Sequence, residues 1–92
     1  MYSLQPSKQY AKGFKRLSRS GRFDCHALNE VLNALAAGES LPARYDNHPL
    51  QGIYADCFEC HIKSDLLLIY KVEETEGKIA LLKIGSHSEL FR

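Results

Sequence analysis

The chain has 92 residues, 12 Lys and Arg against 11 Asp and Glu, and 45% hydrophobic residues. That length makes one domain, 1–92, with a modest core. It excludes a spanning helix, because the longest apolar run, Leu66 to Tyr70, is strand length and a span takes about 20 residues. The N-terminus lacks the basic start and apolar stretch of a signal peptide, so a cytoplasmic location is expected. Three cysteines, Cys25, Cys57 and Cys60, are an odd number and make no disulfide framework.

The net charge of +1 conceals an asymmetry. Residues 1–22 carry Lys8, Lys12, Lys15, Arg16, Arg19 and Arg22 and no acid, a sum of +6, and the remainder sums to −5. Segregated charge of this kind suits an anionic partner such as RNA or an acidic protein. A solvated helix face would look the same.

In chain order, residues 2–5 read as a short strand. Ser7 caps a helix over 8–19 with Tyr10, Phe14 and Leu17 as its apolar stripe. Asp24 caps a second helix over 25–37. Leu28, Val31, Leu32, Leu35 and Ala36 follow the helical pattern there, and Gly38 closes it. Pro42 and Asn47-His48-Pro49 mark irregular chain. Strands are expected at 51–55, 57–63, 66–73 and 78–85, with a polar turn at Glu73 to Gly77 and a short helix over 87–91. Helices segregated from mostly antiparallel strands make the class α+β: a two-helix hairpin on one face of a sheet whose other face stays open.

Cys57-Phe58-Glu59-Cys60-His61 has the C-x-x-C-H spacing of haem attachment and could supply half a zinc site. In a strand, residues three apart point to opposite faces, so one haem or zinc could not use both cysteines. No second Cys-rich element completes a zinc site. Neither a cofactor nor a metal is therefore expected. The same alternation puts Phe58, Cys60 and Ile62 on the helix side. Cys57, Glu59, His61 and Lys63 then share the open face, with i and i+2 neighbours about 7 Å apart.

His48, His61 and His87 fall in this half, with Asp65 beside a strand junction and Lys63, Lys71 and Lys83 nearby. His26, in the second helix, reads as incidental. Histidine takes and gives protons near neutral pH. Cutting RNA without a metal needs a base for the ribose 2′-OH, a cation for the phosphate and an acid for the departing 5′ oxygen. Several histidines, an acid and a lysine can supply these.

Three segments together resemble the YafQ-type toxins of the RelE superfamily. Asp46-Asn47-His48-Pro49-Leu50-Gln51-Gly52 is similar to their D-H-x-L-x-G segment. Glu59-Cys60-His61-Ile62-Lys63-Ser64-Asp65 and the following Leu66 to Tyr70 resemble their [DE]-x-H-[IV]-x-P-D-x-[IL]-L-[IV]-Y block. Gly85-Ser86-His87-Ser88-Glu89-Leu90-Phe91 resembles G-[ST]-H-x-x-L-F. The blocks occur in the family's order and are spread from Asp46 to Phe91, about half the chain.

The resemblance implies a compact microbial RNase fold and the toxin of a type II toxin–antitoxin pair. It implies metal-independent cleavage of mRNA in the ribosomal A site, which stops translation. The implied partners are the ribosome, the mRNA and a cognate antitoxin with an acidic inhibitory segment and a ribbon-helix-helix part. Operator DNA is reached only through the antitoxin complex, and no membrane is involved.

Carried onto this sequence, the resemblance makes His87 the general acid and His48, helped by Asp65, the general base. His61 and Lys63 steady the phosphate. Glu59 orients His61 or serves as an alternative base, and Phe91 abuts a nucleobase. Lys12, Lys15 and Arg16 of the first helix then have a role as a docking surface for ribosomal RNA or the antitoxin. A binding member of the same fold that holds RNA or antitoxin without cutting is the alternative. Three positions depart from the pattern: Phe58 where many members have Arg, Leu66 where Trp is frequent, and Ser64 where Pro is usual. The absent Arg removes one phosphate clamp and leaves Lys63 or Lys83 to replace it.

Overall fold

A computed structural model describes residues 1–21, 23, 25–63 and 65–91. Asp24 as a helix cap, Arg22 in the basic run and Ser64 at the usual proline position lie outside the described residues.

The chain opens with strand β1 (Ser3–Pro6), then helix α1 (Lys8–Ser20). The Ser7 hydroxyl accepts the Tyr10 N–H at 3.0 Å and so satisfies a donor that the helix leaves unpaired. Helix α2 (Cys25–Ala37) buries Leu28, Val31 and Leu35, the inward members of the expected stripe. Strands β2 (His48–Pro49), β3 (Phe58–Lys63), β4 (Leu66–Glu73) and β5 (Lys78–Gly85) follow, and α3 (His87–Leu90) is the last element. No helix of the described residues is long and apolar enough to cross a membrane.

The five strands form one sheet in the order β1-β5-β4-β3-β2. β1 runs parallel to β5 and the other pairings are antiparallel. Both long helices contribute to the core on one face. Tyr10, Leu28, Val31 and Leu35 pack there with Cys60, Ile62, Leu68, Tyr70, Ile79, Leu81 and Ile84. At Gly13, a Cβ would lie 2.3 Å from the carbonyl oxygen of Ile84. The missing side chain lets α1 settle directly on the backbone of β5.

Two expectations change. Residues 51–55 are not a strand: Gly52 has φ +70°, outside the extended region, and Gly52–Tyr54 form a 3₁₀ turn. The partner of β3 is instead the two-residue β2, with Pro49 on the sheet edge, where its missing N–H is harmless. The second change concerns the open face. Phe58, Cys60 and Ile62 do face the helices, but Glu59 is buried and the register shifts between His61 and Lys63. That shift sets Lys63 opposite Leu66, a residue packed on the helix-side core, so Lys63 leaves the row with Glu59 and His61.

Candidate active site

β2 is short, but its register matters. His48 stands directly opposite Glu59, and directly opposed residues point to the same side of a sheet. His61 follows two residues later on that side. The Nε2 atoms of His48 and His61 lie 3.2 and 3.3 Å from the same oxygen of Glu59. Their ring centroids are 5.8 Å apart. Each of these contacts is a hydrogen bond when the ring or the carboxyl carries the proton between them. Glu59 is 6% exposed, so water competes little for its carboxylate.

Asp46 completes this side. It holds a left-handed φ of 44°, and its carbonyl oxygen lies 2.8 Å from Nδ1 of His48. A carbonyl can only accept, so Nδ1 carries the hydrogen and Nε2 is left to exchange a proton. Next door, the Tyr70 hydroxyl donates to Asn47 Oδ1 at 2.8 Å and ties the segment to the central strand. Ligand atoms of Asp46, His48 and His61 lie within 4.8 Å of one another and could hold a metal ion. Imidazole and carboxylate suit zinc or copper.

The opposite side is built on the end of β5. His61 stands across from Leu67, which stands across from Gly85, so His61 and Gly85 are two strand spacings apart, about 10 Å. His87 begins α3 two residues beyond. Ser86 caps that helix: its hydroxyl accepts the Glu89 N–H at 3.3 Å while Glu89 Oε1 accepts the Ser86 N–H at 2.8 Å. Asp65, in the turn between β3 and β4, accepts the His87 N–H at 3.2 Å. The His87 ring lies 5.0 Å from Phe91, and Phe91 meets Tyr54 edge-on at 5.8 Å. The Tyr54 hydroxyl accepts a hydrogen bond from Lys83 Nζ at 2.6 Å. Lys83 stands opposite Ile69 and Ile69 opposite Glu59. Leu67 and Ile69, both fully buried, thus form an apolar floor between the two polar sides.

The predicted residues therefore divide into two groups. His48, Glu59 and His61 come together, and so do Asp65, His87 and Phe91. Asp65 does not support His48 as expected: its hydrogen bond goes to the backbone of His87, and the carboxylates at His48 are Glu59 and Asp46. Lys63 is off the row, and Lys83 is joined to the site through Tyr54. Lys12, Lys15 and Arg16 are exposed on α1. Asp46 and Tyr54 were not among the expected site residues. Asp46 was legible as a turn residue ahead of His48-Pro49, whereas Tyr54 sat in a stretch that reads as strand.

Comparison with known proteins places this arrangement in context. The profile of a family described as bacterial toxin of type II toxin-antitoxin system, YafQ, matches residues 2–92. The chain is 33% identical over 89 residues to the mRNA interferase toxin YafQ of Escherichia coli strain K12, covering 96% of this chain and 94% of the relative. A copper-bound mutant toxin from Helicobacter pylori superposes with a TM-score of 0.91 at 40% identity, covering 99% of this chain and 100% of that one. The toxin in the E. coli DinJ-YafQ toxin-antitoxin complex superposes with a TM-score of 0.84 at 30% identity, covering 99% and 98%.

Proposed function

This chain belongs to the YafQ family of bacterial type II toxins, and from that premise we propose that it is a ribosome-dependent endoribonuclease cutting mRNA in the A site. The observation that carries the reading is the pair of imidazoles on Glu59, with only β4, through Leu67 and Ile69, between the strand of Glu59 and the strand that leads into His87. Nε2 of His48 takes the proton of the ribose 2′-OH. The 2′ oxygen attacks phosphorus and the bond to the 5′ oxygen breaks. His87 gives that oxygen its proton, which leaves a 2′,3′-cyclic phosphate and a 5′-hydroxyl. Glu59 stabilises the imidazolium formed on His48 and holds His61 in place. Lys83 and His61 face the charge that grows on the phosphate. Phe91, braced by Tyr54, offers a ring to a nucleobase.

The family premise also supports an antitoxin partner, and a relative has been solved in a complex with its antitoxin. The basic face of α1 suits an acidic inhibitory segment. A ribbon-helix-helix part on that antitoxin, and operator binding through the complex, remain expectations from the family.

The test is induction of the chain in a bacterial host with mapping of mRNA 3′ ends. Wild type should arrest growth and leave cyclic-phosphate ends within A-site codons. His87→Ala should cut about 10²- to 10⁴-fold more slowly, the usual contribution of one positioned acid. Its side chain is exposed, so the fold should survive. Equal cleavage by both proteins would remove His87 from the reaction.

A further inference from the structure

Gln9, Lys12, Gly13 and Arg16 occupy positions i, i+3, i+4 and i+7 of α1, one helical face. With Lys83 and Glu89 they line a cleft of about 250 Å³. The cleft has a structural origin. β1 pairs with Lys78 to Leu81 of β5 and stops, so the last four residues of β5 are left beside α1. Gly13 brings the helix down onto that stretch.

Lys83 belongs to two places. Its ammonium donates to Tyr54 inside the candidate site, and the residue also lines the cleft. The cleft therefore adjoins the candidate site at Lys83. It gathers three cations, Lys12, Arg16 and Lys83, against one acid. That acid, Glu89, holds the Arg16 guanidinium at 2.8 Å. A guanidinium fork binds carboxylate and phosphate in the same geometry.

We propose that this cleft is a subsite for the phosphodiester backbone of the RNA strand as it leaves the cutting site. Lys12 and Arg16 hold the phosphate, Lys83 connects the subsite to the reaction, and Glu89 is the resident anion that the phosphate displaces. The proposal rests on the endoribonuclease reading and names where that enzyme holds its substrate beyond the scissile bond.

Binding of a short, fluorescent, 2′-O-methyl oligoribonucleotide, which cannot be cut, tests it by anisotropy across a salt series. Lys12→Gln/Arg16→Gln should weaken binding about tenfold or more and flatten the salt slope by about 0.7, the one single-strand phosphate that the two side chains hold. Lys8→Gln/Arg19→Gln removes the same charge from α1 outside the cleft and should change binding by less than about threefold. Glu89→Gln should tighten binding several-fold, because Gln still serves the helix cap while the competing charge is gone. A destabilised protein would not bind more tightly, so this sign is diagnostic. Equal losses in the two double variants, or unchanged or weaker binding by Glu89→Gln, overturns the subsite. So does absence of binding by a wild type that cleaves ribosome-bound mRNA. Binding without such cleavage overturns the enzymatic reading and leaves the cleft standing.

Discussion

Asp65 accepts the backbone N–H of His87 at 3.2 Å, across a gap of 22 residues in sequence. A four-residue helix such as α3 has almost no stability of its own, since helix nucleation is costly. The position of His87 is therefore set from outside, by the Ser86–Glu89 cap and by Asp65. Asp65→Ala should slow cleavage about tenfold, the net worth of one hydrogen bond to a charged acceptor. Asp65→Asn keeps an acceptor and should restore most of the rate. Neither variant should move the pH profile of cleavage on its basic-group limb. A profile shifted by Asp65→Asn would return Asp65 to His48 as its helper, the role that the resemblance alone gave it.

That reassignment shows where the sequence stops being legible. The helices could be read because their causes are local: Ser7 three residues before Tyr10, and apolar residues at helical spacing in α2. Alternation placed Phe58, Cys60 and Ile62 on the core side for the same reason, a period of two. Lys63 escaped that rule because a register shift one residue earlier depends on the partner strand. The pairing of His48 with Glu59 rests on a two-residue strand created by the turn at Gly52, too short to leave a periodic signal. The three histidine blocks were visible, but the turn between β3 and β4 delivers Asp65 to α3 only after the sheet has closed.

Gly13→Ala should destabilise the protein, against the ordinary trend. In an exposed helix interior Ala is better than Gly by about 1 kcal/mol. Here the added Cβ would lie 2.3 Å from a backbone oxygen of β5, which cannot swing aside. Overpacking of this kind costs roughly 1–3 kcal/mol. The expected result is a Tm lower by about 4 °C or more, read by thermal unfolding. A raised Tm would mean that α1 sits further from β5 than the 2.3 Å contact requires.

The triad Asp46, His48 and His61 should make the chain sensitive to divalent ions that favour imidazole, such as Cu²⁺ and Zn²⁺. An ion on His48 Nε2 occupies the lone pair that receives the 2′-OH proton, so metal and catalysis compete. Added Cu²⁺ should inhibit cleavage more strongly than Zn²⁺, following the general affinity order. Asp46→Ala should relieve that inhibition by removing a ligand that takes no part in the proposed proton transfers. Cleavage by EDTA-treated toxin should persist on ribosomes kept intact with magnesium. Stimulation by either metal would overturn both the competition and the proton-transfer scheme.

The three cysteines should separate sharply by reactivity. Cys25 is exposed, whereas Cys57 and Cys60 are buried. Burial pushes the Cys60 thiol up to about 12 and raises that of Cys57 as well. The thiolate is the reactive form. A thiol reagent at mildly alkaline pH should therefore label one cysteine rapidly and the other two only as the chain unfolds. The same shift carries a stability consequence. Between the ordinary thiol value of 9.0 and about 12, the unfolded chain loses the Cys60 proton while the folded chain keeps it. The unfolded state binds fewer protons there, so stability falls as pH rises through that window. Tyr70, also raised to about 12 by burial, adds to the fall above its ordinary 10.0. Chemical denaturation at increasing alkaline pH should show a steadily lower midpoint. Labelling of Cys57 and Cys60 together in the folded state would mean that they share an accessible face, and would reopen the haem-like reading that their opposite orientation closes.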